Sequence, residues 1–374
     1  MRESGELLKS IRVAVTESVG LLSVCALIAG TGYALCPMSM DGGSVTTVYN
    51  RIGYVLVRLG GAGYDNAGMI FAAFLGSQCR NERIKGAVGG LLAFLMITSL
   101  LTPSSVSILV PIMKDHAVYR TSFGPLAGIL SGIWTMIWMR RKKDTVTPGW
   151  VLGGLAGTVM ISFVLMALLP VMYEGIQAFS LWLKSQGIIS AVIFPVLNRV
   201  FTPFCFHHPM NEVFLAPDLA GFRSGQAYEL SLPWGSFMSG FFAPMIAGIP
   251  AAAAACIRYG RGGQKETGIL VLCALSSFLF GTSELFEYLL LVYCPPMFAA
   301  GCVSYGLFSL LSFLCGFRAA IVFSGGLADL FLTSIMPGAS GTSWILPLSV
   351  LAAVLWYFLM KFFMKRIPDS SEGK

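Results

Sequence analysis

Residues 145–173 carry no charged side chain. A helix needs roughly 20 consecutive apolar residues to cross the ~30 Å hydrocarbon of a bilayer, so this run is long enough to span one. Between Glu266 and Arg318 the only charges are Glu284 and Glu287. Of the 374 residues, 56% are hydrophobic and only 11% charged, where a soluble domain carries about 25% charged residues. A soluble core of this size cannot hide that excess. The expected fold is all-α and polytopic, with about ten transmembrane helices plus re-entrant hairpins.

The charges that remain are grouped. Basic residues cluster at Arg80, Arg83 and Lys85, at Arg140, Arg141, Lys142 and Lys143, at Arg258, Arg261 and Lys265, and at Lys361, Lys365 and Arg366. Basic flanks beside apolar runs mark cytoplasmic ends by the positive-inside bias, which places both termini in the cytoplasm. The net charge of +7 is therefore a topology signal, and no nucleic-acid partner is expected. Nine cysteines lie mostly inside apolar runs without a CxxC pair. They read as small buried apolar residues, with no disulfide framework, metal or cofactor expected. Arg2, Lys9 and Arg12 ahead of the apolar stretch from Val19 resemble a signal-anchor span, expected to be retained.

Hydropathy suggests spans near 17–36, 47–60, 67–78, 86–102, 124–139, 150–172, 187–200, 232–257, 267–281, 285–315 in two pieces, and 343–362. Several are too short to cross as straight helices. Gly248-Ile249-Pro250 and Cys294-Pro295-Pro296 are expected to break two others. Residues 173–186 read either as an amphipathic helix lying along the interface or as a plain loop. That connector divides the chain into 1–172, nearly free of intramembrane charge, and 173–367, which holds most of the buried polar residues. The tail 368–374 is expected to be disordered.

Polar groups at membrane depth are costly, and each is a candidate site. Asn198-Arg199 runs through His207-His208 to Asn211-Glu212. Adjacent residues point in different directions, so one histidine can face a cavity while the other anchors backbone. The competing reading is a hydrogen-bonded structural pair. A second group is Gly281-Thr282-Ser283-Glu284-Leu285-Phe286-Glu287-Tyr288, whose two carboxylates at i and i+3 share a helical face. Capping of the helix start by Thr282 or Ser283 explains one acid better than two. A third is Phe323-Ser324-Gly325-Gly326-Leu327-Ala328-Asp329, where Asp329 reads as a site or as the cap of a loop. Together these groups suggest passage of a small polar solute through the protein's interior. Cys256, by contrast, ends an alanine-rich span, and the arginines after it read as a cytoplasmic flank.

In order, these segments resemble enzyme IIC, the membrane permease of the bacterial phosphoenolpyruvate-dependent sugar phosphotransferase system, in its glucose, N-acetylglucosamine and maltose family. The family's NR…(I/P)PxGLHH…N corresponds to Asn198-Arg199, Pro203, His207-His208 and Asn211. Its FMxGFFPxMxxGLPAAALA corresponds to the stretch from Phe237 to Ala253, its GITEPIEF to Gly281–Tyr288, and its FSAGLIDY to Phe323–Leu330. The resemblance covers roughly 150–335; the first 145 residues match only in hydropathy and glycine content. Leu285 stands where the family has proline, and Cys205-Phe206 where it has Gly-Leu.

The resemblance implies an elevator-type transporter in a bacterial inner membrane: a dimerising scaffold over 1–172 and a sugar-binding transport half over 173–367. It implies that Glu284 and His207 act at a glucose-type sugar, with His208, Arg199, Asn211 and Glu287 completing the binding set. A separate IIB domain would carry the phosphocysteine, with IIA supplying it. The alternatives are a cation-coupled or facilitative transporter using Glu284 and Asp329 as coupling carboxylates, and a degenerate permease serving as a membrane sensor.

Overall fold

In a computed structural model, residues 2–36, 47–79, 82–101, 124–141, 148–215, 233, 235–260, 263–336 and 338–366 are described. Arg80, Lys142, Lys143, Arg261 and the tail 368–374 lie outside them.

The described residues are helical almost throughout, and their only β feature is an isolated bridge between Arg318 and Ser340. Helices α1 (Arg2–Leu35), α2 (Val48–Tyr64), α3 (Ala67–Gly76), α4 (Arg83–Leu100), α5 (Gly124–Arg140) and α6 (Pro148–Lys184) form the first part. Then come α7 (Ile188–Phe201), a 3₁₀ turn (Thr202–Phe204) and α8 (His207–Phe214). Further on, α9 (Ser239–Ala243) runs through a π turn (Pro244–Gly248) into α10 (Ile249–Tyr259), and α11 (Gln264–Phe280), α12 (Glu284–Tyr293) and α13 (Pro295–Leu314) follow. The chain closes with α14 (Leu327–Ser334), a 3₁₀ turn (Thr342–Trp344) and α15 (Ile345–Met364).

Among the described residues six helices are long and apolar enough to cross a membrane: Gly5–Leu35, Arg83–Leu100, Gly149–Lys184, Ser239–Tyr259, Pro295–Leu314 and Thr342–Met364. Their outer faces are aliphatic. On α6, Leu152, Met160, Val164 and Leu168 are all about half or more exposed, the pattern of a surface solvated by lipid rather than water.

Two expectations about breaks resolve differently. At Cys294 (φ −146°, ψ 68°) the helix does break, because the residue before a proline is excluded from the α region, and Pro295 and Pro296 open α13 where missing N–H groups cost nothing. Gly248-Ile249-Pro250 does not break its helix. The Ile249 N–H reaches back to the Pro244 carbonyl, and this π turn absorbs the irregularity of two prolines within one span. Residues 173–184 are a further correction: they are neither a loop nor a separate interfacial helix, but continue α6 through Pro170 without interruption. The helix is therefore about 55 Å long, well beyond the hydrocarbon thickness. Its second half is tied inward, since the buried Tyr173 donates to Glu212 and Lys184 Nζ donates to the Val213 carbonyl at 2.5 Å. The helix runs unbroken through position 172.

Glycine permits the tightest packing. A Cβ on Gly128 of α5 would lie 2.0 Å from the Gly68 carbonyl oxygen of α3, so these backbones touch directly, as small residues allow between membrane helices. Helix α1 links both parts of the chain. It packs on α2 and α3, and also on α11 and α12, where Glu17 pairs with Lys265 and Arg12 Nε donates to the Val292 carbonyl at 2.8 Å.

Candidate functional site

Three apolar elements bring charged and amide side chains into the core. Near the end of α7, Asn198 and Arg199 are 1% and 5% exposed, and in the first turn of α12 Glu287 is 3% exposed. Arg199 Nη1 lies 3.5 Å from Glu287 Oε1. An unpaired ion here would carry a heavy desolvation cost, and pairing offsets it only if the remaining donors are also met. Most are. Nη1 donates to Ser283 Oγ at 2.7 Å, and Nε and Nη2 both donate to Asn198 Oδ1, at 3.1 and 2.5 Å. The guanidinium also sits over the rings of Phe241 and Tyr305, 5.1 and 5.5 Å from their centroids. The Tyr305 hydroxyl donates to Glu287 Oε1 at 3.3 Å. Asn198 Nδ2 donates to Asn211 Oδ1 at 2.6 Å, which joins α8 to the cluster.

The start of α12 is not capped by its hydroxyls. Ser283 is the N-cap residue without a side-chain cap bond, because its Oγ accepts from Arg199 instead. Glu284 and Glu287 then divide their attention. Glu287 faces Arg199 and Tyr305, while the half-buried Glu284 accepts from the Tyr64 hydroxyl at 3.2 Å. Tyr64 belongs to α2, and sequence reasoning missed it: a tyrosine at a helix end, distant in the chain, gives no local signal.

The two histidines open α8. Their rings lie side by side, with centroids 4.1 Å apart, instead of pointing in different directions. Cys205, just before them, has φ 62°, and among the described residues it is the only non-glycine with positive φ. A glycine would adopt that conformation without strain. The 3₁₀ turn ahead of α8 packs on α12, where the Tyr288 hydroxyl donates to the Pro203 carbonyl at 3.4 Å.

Three buried polar atoms on these elements have no hydrogen-bond partner: His207 Nδ1, Thr282 Oγ1 and Glu287 Oε2. Buried polar atoms in native proteins are nearly always bonded, so orphans grouped on neighbouring elements point to a ligand or ordered water.

Asp329 does something else. It is 2% exposed, and its carboxylate accepts N–H bonds from Val322, Phe323, Ser324 and Gly325 at 2.9–3.2 Å. The carboxylate organises the turn, which in turn meets the start of α12: Ser324 Oγ donates to the Gly281 carbonyl at 2.8 Å. With its lone pairs so used, Asp329 is poorly placed to serve as a coupling carboxylate, and the loop-cap reading is the one its geometry fits.

A helical membrane protein with a charged, amide-rich cluster in its core is of the polar-solute transporter class. The sequence model of the phosphotransferase system EIIC family matches residues 12–304. The chain belongs to that family and is a permease component of a phosphotransferase system; such components work on a sugar together with separate IIB and IIA proteins. Among solved structures, the chain is similar to the transporter ChbC, the IIC component from the N,N'-diacetylchitobiose-specific phosphotransferase system, at 15% identity and a TM-score of 0.40, over 99% of this chain and 96% of that one. So distant a likeness says nothing of this chain's sugar.

Proposed function

We propose that this chain carries a glucose-type sugar (glucose, N-acetylglucosamine or a maltose-like glucoside) through the membrane and presents it to the phosphocysteine of a separate IIB protein. The sugar is held by Glu284, His207, His208, Arg199, Asn211 and Glu287. The observation that supports this most is the set of partnerless buried atoms, His207 Nδ1, Thr282 Oγ1 and Glu287 Oε2, on elements that pack around the Arg199–Glu287 pair. Ring hydroxyls both donate and accept, and would satisfy an imidazole nitrogen and a carboxylate together. Phosphoryl transfer asks the membrane component mainly for positioning. Glu284 and His207 hold the attacking hydroxyl and draw off its proton as the phosphorus–oxygen bond forms, while the IIB sulfur leaves.

About ten crossings, against six from length and apolarity, need shorter helices such as the 17-residue α5 and α11 to pass through as well. The ten-residue α12 is about 15 Å long and suits a re-entrant segment ending at mid-membrane. In an elevator motion of 173–367 against a dimerising 1–172, Glu17–Lys265, Arg12–Val292 and Tyr64–Glu284 are the contacts that exchange. The basic clusters at the helix ends support a cytoplasmic position for both termini, in what the family resemblance makes a bacterial inner membrane.

Equilibrium sugar binding to purified protein tests the site. Glu284→Gln is expected to abolish stabilisation by the best sugar of a small panel while leaving the unliganded melting curve intact. Wild-type affinity in that variant would remove Glu284 from the site.

A further inference from the structure

A second site lies at one end of the bundle, away from the cluster above. There the start of α1, the turn after α3, the start of α4 and the end of α5 line an open polar cleft of about 340 Å³. Among the described residues its wall carries Lys9, Arg83 and Arg140, with Glu6 the single carboxylate. Arg140 is pinned, its Nη2 donating to Ser10 Oγ at 2.5 Å and to the Gln78 carbonyl at 3.0 Å, while its Nε is buried without a partner. Neither Lys9 nor Arg83 has a hydrogen-bond or ion-pair partner in the described structure. Three cations from three helices thus converge on one space with most of their donors unspent. With Lys9 and Arg83 exposed and Glu6 the counter-charge, the space keeps a net positive field that favours an anion.

We infer that this cleft binds a phosphate group, taken from the headgroup of an acidic phospholipid or from free phosphate. The guanidinium forks of Arg83 and Arg140 match phosphate oxygens in a way a single lysine cannot, and Lys9 adds a mobile charge. The position at helix ends, among the chain's basic clusters, puts the phosphate at headgroup level and the lipid tails beside α4.

Native mass spectrometry of the full chain from nanodiscs of phosphatidylcholine with a minor share of phosphatidylglycerol tests this, with inorganic phosphate titrated in parallel. Wild-type protein should retain one phosphatidylglycerol per chain in preference to the neutral lipid. Lys9→Gln and Arg83→Gln should each weaken it about fivefold, and the pair about 25-fold, at roughly one electrostatic contact per cation. Lys9→Arg should restore binding, and sugar binding should be unchanged in every variant. Charge-dependent binding of inorganic phosphate without phospholipid would assign the site to free phosphate. Equal retention of the neutral lipid, or undiminished acidic-lipid binding in the double variant with no phosphate binding, would overturn the inference.

Discussion

The hydroxyl of Tyr64, the last residue of α2, donates to Oε2 of Glu284, the first residue of α12, across 3.2 Å. This bond joins the two stretches of chain that the proposed elevator motion would separate, and it ends on the carboxylate proposed to hold the sugar. A sugar hydroxyl taking that acceptor displaces the tyrosine. Tyr64→Phe should then tighten sugar binding about three- to tenfold, the worth of one competing hydrogen bond. Isothermal titration reads it directly; weaker binding would place Tyr64 beside the sugar as a direct partner.

The Arg199–Glu287 pair is buried on both sides. Removing one partner strands a charge, so Glu287→Ala should lower stability by about 3–5 kcal/mol. Arg199→Met combined with Glu287→Met should recover most of that loss without restoring sugar binding. Thermal unfolding in detergent, with and without sugar, separates the two effects.

Asp329 distinguishes sugar passage driven by phosphorylation from ion coupling. Asp329→Asn can keep one acceptor oxygen in the Oδ2 position, which takes the N–H groups of 322–325, and should leave the pH dependence of uptake unchanged. Asp329→Ala removes those acceptors and should reduce folded yield, at about 1–3 kcal/mol for each buried donor left unmet. A shifted uptake profile in Asp329→Asn would support a coupling role instead.

Gly281 has φ 73°, and a Cβ there would fall 1.9 Å from the Ser324 carbonyl oxygen. The clash is with backbone, which cannot swing aside. Gly281→Ala should therefore disrupt the junction between the 322–326 turn and α12, seen as loss of monodisperse protein on size-exclusion chromatography.

Much of this was legible in the sequence because lipid leaves few alternatives. Charge-free runs demanded helices, and Asn198, Arg199, Asn211 and Glu287 drew notice by being polar where polarity is costly; they come together in one cluster. Local signals were less dependable where tertiary packing decides. Pro250 looked like a helix break, yet a π turn carries the helix through it. The 173–186 stretch looked separate because its polarity rises, yet the backbone of α6 continues to Lys184. Ser283 looked like a cap until a distant arginine claimed its hydroxyl. The Cys205 position is the reverse case: its left-handed backbone gives a physical reason for the glycine that the resembling motif carries there.

The most direct test of the central claim is uptake of labelled sugar by cells carrying this chain, with and without the IIB and IIA proteins and their upstream phosphoryl carriers. The account predicts that label accumulates as sugar phosphate only when the carriers are present, and that Glu284→Gln and His207→Ala abolish it. Accumulation of unphosphorylated sugar, independent of the carriers, would contradict it.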